Sequence, residues 1–345
     1  MALAALPESI ADRPSLVVID RTVSRRHGRL LDSLLVDRNG QPLPRLQITA
    51  GEDAKTPERL TETWNRFARI VLPRDGLVIG VGGGTILDLA GFAASTWMRG
   101  VAFVAIPTTL LAAADASVGG KTAINLDGLK NPVGTFHAAE RVLICPDLLA
   151  TLPRREWRCG MAEVVKIGVI KAPRLFRDLE QHAENLSRAL ASGPASRPVD
   201  GVLDLPWTSW LLDAVAAKAG IVAADYREGG PRKSLNLGHT LAHALEPLLG
   251  LPHGEAVALG LSAVARLAHA RGSCSPKTLD RIVALLTACG LPVHCPPPTL
   301  QDASRYVNRD KKISDGAVGW VLPRRIGHVE IDVPVQLRDV LPHLA

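Results

Sequence analysis

Short β-branched runs alternate with helical patterns of hydrophobic residues between position 16 and about position 150. This alternation is typical of βαβ units built around a parallel sheet. Between the apolar runs, the spacing of hydrophobic residues predicts helices over 56–71 and 85–95. The apolar runs themselves predict strands at 16–19, 46–49, 77–81, 101–106 and 142–144.

From Thr151 onward the pattern becomes rich in Ala and Leu at helical spacing, as in 210–224, 237–249 and 255–270, with few strand signals before 318–322. The breaker-rich segment 189–206 is interpreted as a surface loop rather than a third domain. The fold class predicted from this change is α/β. An N-terminal parallel-sheet domain is placed over residues 1–150, and a mainly α-helical domain over 151–345.

Length and composition fit this division, because 345 residues with 47% hydrophobic and 21% charged side chains can bury two domain cores. The N-terminal segment has no basic start or long apolar run, and no membrane span follows, so the expected location is the cytoplasm, with no membrane partner. The five cysteines form no C-x-x-C pair and are expected to be reduced thiols.

The net charge of +6 raises the question of an anionic partner. Aromatic residues make up only 4% of the chain, and the interesting lysines are scattered singly. Nucleic acids are usually bound by basic stripes with aromatic residues for stacking. The composition therefore favours a small anionic molecule over a nucleic acid.

A glycine run, Gly82 to Gly84, follows the strand predicted to end at Val81. Thr85 is placed to cap the next helix, with Asp88 in the capping-box position. The spacing is not G-x-G-x-x-G, so a tight turn and a dinucleotide site are equally compatible with it. Thr108 and Thr109 follow the next predicted strand. Alone they indicate an ordinary helix start, although they would share the carboxyl edge of the sheet, where ligands bind.

The run 117–122 (SVGGKT) is similar to a phosphate-binding loop, but Asp115 stands where that motif requires its first glycine. The sequence therefore argues against a nucleoside triphosphatase. Asp115, Lys121, Lys130 and Asn131 are, one by one, most simply interpreted as solvated loop residues.

His239 and His243 are spaced i, i+4 and so lie on one helical face, as suits a metal ion or a substrate. Thr240 stands where a zinc peptidase has Glu, which excludes that class. His253 follows in a turn, and Glu163 is a lone acid on an apolar helix. Histidine pairs are more often structural, yet three histidines and an acid favour a metal with an open coordination position.

Single cations lie near these residues in the sequence. Each is a surface charge by default, but together they would suit a phosphorylated, carboxylated substrate. They are Lys166, Lys218, Arg232, Lys233, Lys311 and Lys312.

Seven blocks of sequence, in order, resemble the motifs of the 3-dehydroquinate synthase family of sugar-phosphate cyclases. The resemblance extends from about Gly51 to Leu322; it is weak before Gly51 and absent from 189–206. The blocks are GVGGGTILDLAGFAASTWMRGV, IPTTLLAAADASVGGKTAIN, GLKNPVGTFH, GMAEVVKIGVI, RKSLNLGHTLAHALE, LPHGEAVALGL and RDKK.

The resemblance implies an N-terminal Rossmann-like domain that binds NAD+, a C-terminal helical domain that binds metal, and a homodimer. The implied reaction is the second step of the shikimate pathway, which converts 3-deoxy-D-arabino-heptulosonate 7-phosphate to 3-dehydroquinate and phosphate. It proceeds through transient oxidation by NAD+, phosphate elimination, re-reduction and intramolecular aldol closure. The enzyme class is a carbon–oxygen lyase that needs NAD+ and a divalent metal, zinc or cobalt.

Residue roles are carried over by motif position. The implied metal ligands are Glu163, His239 and His253, with His243 beside them or facing substrate. The implied NAD+ contacts are Gly51, Glu52, Lys55, Gly84, Thr85, Ile86, Leu87, Asp88, Thr108, Thr109, Lys121, Lys130, Leu148, Leu149, Ala150 and Thr151. The implied catalytic and substrate contacts are Asp115, Lys121, Asn131, Lys166, Lys218, Arg232, Asn236, His243, one of Lys311 or Lys312, and Arg99, which would reach a neighbouring subunit.

Two departures from the family pattern stand out. Thr85 and Leu87 replace Val and Gly in the block after the glycines, which affects the turn around the cofactor. The loop between His243 and His253 is shorter than in many members.

Three other functions remain open on the sequence. A cyclase acting on sedoheptulose 7-phosphate or glucose 6-phosphate is disfavoured by Arg232 with Asn236, which suit a substrate carboxylate. A metal-dependent alcohol dehydrogenase would lack the set of lysines and arginines. A non-catalytic binding protein would have lost a metal ligand or Lys166, and this chain keeps them all.

Overall fold

The computed structural model describes residue 6 and residues 8–191, 193–199, 202–310 and 318–345. The chain divides into two compact units, Met1–Thr151 and Leu152–Ala345. The assignment of the cofactor to the first unit and of the metal to the second stays a prediction.

The first unit is built on a five-stranded parallel sheet, as the alternating pattern predicts, with strand order β2-β1-β3-β4-β7. The order runs outward from β1 in both directions, which creates a topological switch point between β1 and β3. The predicted α/β class is confirmed. The strands of the sheet are β1 (Ser15–Asp20), β2 (Arg45–Ile48), β3 (Leu77–Gly82), β4 (Ala102–Pro107) and β7 (Arg141–Val142).

The two faces of this sheet bury separate cores because side chains alternate along each strand. Leu16 and Val18 of β1 belong to one core, while Val17 and Ile19 belong to the other. Every residue of β3 is buried, as expected for a central parallel strand. The helices of this unit are α1 (Glu8–Ala11), α2 (Arg21–Leu34), α3 (Pro57–Arg69) and α4 (Gly84–Thr96).

Residues 121–136 form an antiparallel hairpin of β5 (Lys121–Leu126) and β6 (Leu129–Phe136). The expectation that Lys121, Lys130 and Asn131 lie in loops was wrong, while their exposure to solvent is as expected. Asp127 and Gly128 join the strands, with φ of 49° and 74°. A two-residue turn with positive φ at both positions matches the twist of a hairpin, and Asp-Gly is its preferred sequence. The signal was therefore present in the sequence.

The second unit is mainly helical, as the Ala- and Leu-rich pattern predicts, and its described residues include an antiparallel hairpin. The hairpin is formed by β8 (Val318–Arg325) and β9 (His328–Val335). The helices are α5 (Arg154–Ile170), α6 (Pro173–Gln181), α7 (Ala183–Leu186), α8 (Trp207–Ala224), α9 (His239–Leu249), α10 (His253–Ala270), α11 (Pro276–Ala288), α12 (Leu300–Asp310) and α13 (Leu337–Val340).

Among the described residues, no helix combines the length and the apolar character needed to cross a bilayer. All five cysteines are free, as the sequence predicts, and burial raises the pKa of the Cys159 and Cys289 thiols to about 12. Thiols with such pKa values are structural rather than reactive.

Candidate functional site

The glycine turn after β3 opens α4 at the carboxyl edge of the sheet. The helix begins at Gly84 with Gly83 as its N-cap, and no side chain caps it. The expectation that Thr85 is the cap was wrong, because the helix starts before Thr85 and the Thr85 hydroxyl faces Glu52 instead, 3.5 Å from Oε2. An uncapped helix start next to a switch point offers backbone N–H groups to an anion.

Lys55 connects the loop after β2 to α4. Its side chain is buried, and Nζ lies 2.7 Å from Oδ2 of Asp88 and 3.7 Å from Oε1 of Glu52. Burial raises the pKa of Asp88, and the Lys55 ammonium opposes that rise. The sequence-predicted cofactor residues Glu52, Lys55, Thr85 and Asp88 are thus brought together by the fold.

The β5–β6 hairpin joins the same network through two asparagines. Lys55 donates a hydrogen bond to Oδ1 of Asn131. The backbone N–H of Asn131 in turn donates to Oδ1 of Asn125 at 2.9 Å. Asn125 also donates to the carbonyl of Glu52 at 3.2 Å. Asn125 was missed by sequence reasoning, although it lies in the quoted KTAIN block, because its role depends on the hairpin that brings it within hydrogen-bond distance of Asn131.

Of the other cofactor candidates, some lie at the carboxyl edge of the sheet and others have side chains buried inside the first unit. Thr108 ends up buried at the carboxyl edge, and its Oγ1 has no hydrogen-bond partner within the described part of the chain. Thr109 accepts a hydrogen bond from the amide of Ala112 at 3.1 Å, so it caps a helical turn, as the simpler interpretation holds. Four candidates have buried side chains: Ile86, Leu87, Leu148 and Leu149.

The remaining candidates of the first unit are spread around it. Thr151 is held by α2, since its carbonyl accepts from Arg26 at 2.7 Å and its hydroxyl lies 2.8 Å from Nε2 of His27. Gly51 precedes a short 3₁₀ turn, and Ala150 directly precedes Thr151. The other candidates differ in exposure: Asp115 is half-buried, whereas Arg99, Lys121 and Lys130 are exposed.

Three ligand-type side chains converge in the second unit. One atom each from Glu163, His239 and His253 lies within 4.8 Å of the other two. Oε1 of Glu163 is 3.4 Å from Nε2 of His239 and 3.3 Å from Nε2 of His253. One carboxylate and two imidazole nitrogens suit Zn²⁺ or a similar ion and leave coordination positions open.

Each ligand occupies a defined place on a helix. Glu163 lies within α5, while His239 and His253 are the first residues of α9 and α10. The helix predicted from residue 237 begins two residues later, because Gly238 adopts the left-handed conformation with φ of 77°. A Cβ there would lie 2.8 Å from the amide nitrogen of Leu261, so only glycine fits.

The buried charge of Glu163 is balanced by Lys166, whose Nζ is 2.5 Å from Oε2. Burial raises the pKa of Glu163, but the Lys166 and His253 cations outweigh burial and hold it well below its ordinary range. Neither carboxylate oxygen makes a hydrogen bond of regular geometry within the described chain. A buried carboxylate in this state has lone pairs suited to a metal ion.

His243 lies one turn after His239, and the two ring centroids are 5.6 Å apart. Glu246 lies behind His253, with Oε1 2.7 Å from Nδ1. Burial lowers the pKa of His253, whereas Glu163 and Glu246 raise it more, to about 9. Glu246 was missed by sequence reasoning. Its position two turns after His239 on the same helix is the signal that could have found it.

A 3₁₀ helix before α9, Pro231–Asn236, holds two of the predicted substrate contacts. Arg232 is buried, and its Nη1 donates to the carbonyl of Tyr226 at 2.5 Å. Asn236 donates to Oε1 of Glu228 at 2.6 Å. Glu228, with φ of 62°, is a further residue that sequence reasoning missed. Lys218 is buried on α8, and Lys311 and Lys312 lie outside the described residues.

The residues present therefore fit both a metal and a dinucleotide. The metal is suited by a buried anion facing two imidazole Nε2 atoms. The dinucleotide is suited by the uncapped start of α4 and the buried Thr108 hydroxyl at the carboxyl edge of the sheet.

Comparison of the sequence with known families finds two adjoining matches. Residues 45–159 match the family described as 3-dehydroquinate synthase N-terminal, and residues 160–313 match 3-dehydroquinate synthase C-terminal. A 3-dehydroquinate synthase of Prochlorococcus marinus (strain MIT 9211) is 41% identical over 319 residues, which are 92% of this chain and 83% of that protein. One from Synechococcus sp. (strain CC9605) is 41% identical over 335 residues, 96% of this chain and 87% of that protein.

Solved structures share the fold over nearly the whole chain. ValA, a 2-epi-5-epi-valiolone synthase from Streptomyces hygroscopicus subsp. jinggangensis 5008 with NAD+ and Zn²⁺ bound, superposes with a TM-score of 0.84 at 30% identity, covering 99% of this chain and 94% of its own. A 2-deoxy-scyllo-inosose synthase complexed with carbaglucose-6-phosphate, NAD+ and Co²⁺ gives 0.80 at 23% identity, covering 98% and 92%. The second likeness concerns the fold alone.

Proposed function

Because this chain belongs to the 3-dehydroquinate synthase family, we propose that it converts 3-deoxy-D-arabino-heptulosonate 7-phosphate to 3-dehydroquinate and phosphate. The observation that carries the proposal is the 41% identity to curated synthases over more than nine-tenths of the chain. The carboxylate and two imidazoles that face one point in the second unit support it.

NAD+ and a divalent metal, Zn²⁺ or Co²⁺, are the cofactors of this activity. When bound, NAD+ accepts and returns a hydride and the metal acts as a Lewis acid on substrate oxygens. Glu163, His239 and His253 would hold the metal. Lys166 keeps Glu163 ionised and therefore ready to bind a cation, and His243 lies close enough to His239 to face a molecule bound there.

The cationic side chains would bind the anionic groups of the substrate. In the second unit, Lys166, Lys218 and Arg232 are buried, so their charges are little screened by water. Asn236 is oriented by Glu228 and would donate a hydrogen bond. In the first unit, the candidates for substrate contact are Asp115, Lys121 and Asn131. Such fixed charges stabilise the charge that develops as phosphate leaves.

The first unit would bind NAD+ at the carboxyl edge of its sheet. The start of α4 would receive the pyrophosphate, and Thr108 would donate its buried hydroxyl. Glu52, Lys55 and Asp88 would surround the cofactor's ribose and phosphate groups. A homodimer in which Arg99 reaches the neighbouring subunit, and a cytoplasmic location, are part of the same proposal.

The test is a phosphate-release assay on the metal-loaded protein, with the heptulosonate 7-phosphate and catalytic NAD+. We expect phosphate and 3-dehydroquinate in equal amounts, with no net NADH, because the hydride returns to the carbon that lost it. Phosphate release from sedoheptulose 7-phosphate or glucose 6-phosphate alone would contradict the proposed substrate. Accumulation of NADH would indicate a dehydrogenase.

Lys55→Met is expected to weaken NAD+ binding about tenfold or more. Hydrogen bonds to charged groups contribute roughly 1.5–3 kcal/mol, and 1.4 kcal/mol corresponds to a factor of ten. The substitution also removes the cation that faces Asp88 and Asn131. Titration calorimetry with NAD+ measures the effect, with Lys277→Met, an exposed residue of α11, as the matched control. Equal affinities of the Lys55→Met variant and the unsubstituted protein would remove Lys55 from the cofactor site.

A further inference from the structure

The carboxylate of Glu246 faces the side of His253 that points away from Glu163. Oε1 of Glu246 lies 2.7 Å from Nδ1 of His253, while Nε2 of the same ring lies 3.3 Å from Glu163. Glu246 is largely buried, with 13% of its side chain exposed. The imidazole is therefore held between two carboxylates, of which one belongs to the ligand cluster and the other does not.

The hydrogen bond to Glu246 assigns the tautomer of His253 in its neutral form. A neutral imidazole has one N–H and one lone pair, and a carboxylate accepts only from the N–H. With the proton on Nδ1, the lone pair of Nε2 is directed toward Glu163 and His239, which is the arrangement a metal ion needs. A carboxylate behind a ligating histidine also fixes the ring orientation and increases ligand basicity.

His239 obtains the same orientation in a different way. Its Nδ1 lies 3.2 Å from the backbone carbonyl of Leu237, so a main-chain group contributes to orienting this ring. His253 is the first residue of its helix and depends on a side chain from α9. A substitution of Glu246 therefore tests directly what orients His253.

The backbone of Glu246 is held in place at the end of α9. Its carbonyl accepts a hydrogen bond from the amide of Leu251 at 3.1 Å, and Gly250 ends the helix in the left-handed conformation. This short turn returns the chain at once to Pro252 and His253. Glu246 therefore contacts the connection between α9 and α10 twice: its carbonyl accepts from Leu251, and its carboxylate contacts His253, the residue that follows the connection.

We propose that Glu246 is a positioning residue that orients His253 and sets its tautomer, and so strengthens divalent-metal binding. The inference rests on the proposed function only in assuming that the triad binds Zn²⁺ or Co²⁺. Metal binding is measured separately from turnover, so the two can fail independently. Absence of metal binding by the unsubstituted protein contradicts the metal site; unchanged binding by Glu246 variants contradicts the role of Glu246 alone.

Three substitutions of Glu246 distinguish the effect of side-chain length from the effect of charge. Glu246→Gln keeps the length and an acceptor oxygen but removes the charge. Glu246→Asp keeps the charge but withdraws the acceptor by one methylene group. Glu246→Ala removes both. The control is Glu255→Gln, on a residue of the same helix start as His253 whose carboxylate is bound by Arg155 at 2.7 and 3.0 Å.

The readouts are the Zn²⁺ dissociation constant, obtained by competition with a chelating indicator, and the visible absorption spectrum of bound Co²⁺. We expect Glu246→Ala to weaken Zn²⁺ binding by about 10–100-fold, as is usual when an outer hydrogen-bond partner is lost. Glu246→Gln should retain more affinity than Glu246→Asp, and the Co²⁺ spectrum should change in the Ala and Asp variants. Glu255→Gln should leave both readouts unchanged.

Two results overturn the proposal. One is a Glu246→Ala protein that binds Zn²⁺ as the unsubstituted protein does. The other is the reverse order, with Glu246→Asp unimpaired and Glu246→Gln as weak as Glu246→Ala, because that order indicates a charge effect without positioning. Circular dichroism of the metal-free proteins identifies a variant that does not fold. If Glu246→Ala does not fold, the order of Zn²⁺ affinities of Glu246→Gln and Glu246→Asp tests the proposal.

Discussion

Glu163→Gln is expected to abolish tight divalent-metal binding and with it the synthase activity. Glu163 supplies the only carboxylate among the three converging ligands that the described residues provide. Losing it should cost more than the roughly 10–100-fold loss that follows removal of an outer-shell partner. Metal content after dialysis and the rate of phosphate release with saturating metal measure the two losses.

The same substitution should also destabilise the metal-free protein. Lys166 and Glu163 are both buried, with side-chain exposures of 2% and 1%. Removing one partner of a buried pair leaves an uncompensated charge, which typically costs about 3–5 kcal/mol. Denaturant unfolding measures this loss, and Glu163→Gln combined with Lys166→Met should recover much of it.

Glu156→Gln is the matched control for both effects, since Glu156 is an exposed residue of the same helix. It should bind metal and unfold as the unsubstituted protein does. A Glu163→Gln protein that keeps its metal affinity would contradict the assignment of Glu163 as a ligand.

The second large effect is expected from Gly254→Ala. A Cβ at this position would lie 2.3 Å from both Cα and the carbonyl oxygen of Cys159, so the backbones of α5 and α10 would have to separate. Overpacking of this kind costs about 1–3 kcal/mol and more when backbone must move. His253 precedes Gly254 and Glu163 lies one turn after Cys159. The shift would therefore displace two metal ligands.

We expect Gly254→Ala to lower kcat/KM by about a hundredfold, the effect of misplacing reacting groups by 1 Å. It should also lower the free energy of unfolding. Gly220→Ala is the control, because nothing lies within 4 Å of a Cβ there and Ala favours the helix α8. Equal unfolding midpoints for the two variants would contradict the close helix contact.

Much of the fold follows from local pattern. The short apolar runs that form β1 and β3, which are almost entirely buried, and the helical patterns of α8 to α10 are predicted by the sequence, and the structure confirms them. The β5–β6 hairpin was missed although Asp127-Gly128 is a typical hairpin-turn sequence. Its strands carry charged and exposed residues, so they lack the alternation of apolar and polar residues by which a strand is usually recognised. The start of α4 was misplaced by one residue because no capping side chain marks it.

The site was predictable to the extent that its residues stand in recognisable blocks. The sequence indicated Glu163, His239 and His253 as a ligand set through the family resemblance. Spacing alone favoured a structural role for the pair His239 and His243, and only the addition of His253 and Glu163 favoured a metal. Glu246 and Asn125 could not be assigned, since each acts through a partner that comes near only after folding. His253 lies in a different helix from Glu246, and Asn131 lies across a turn from Asn125.

The sequence by itself determined the α/β class, the family and the kinds of ligand atom available, because these depend on local periodicity and on residue types at fixed spacing. Only the tertiary structure decided which atoms meet. Three helices bring Glu163, His239 and His253 within 4.8 Å of one another. Backbone contact at Gly254 sets how closely two of those helices approach, and Glu246 orients one of the imidazoles. Such distances arise from packing between distant segments, which no local pattern specifies.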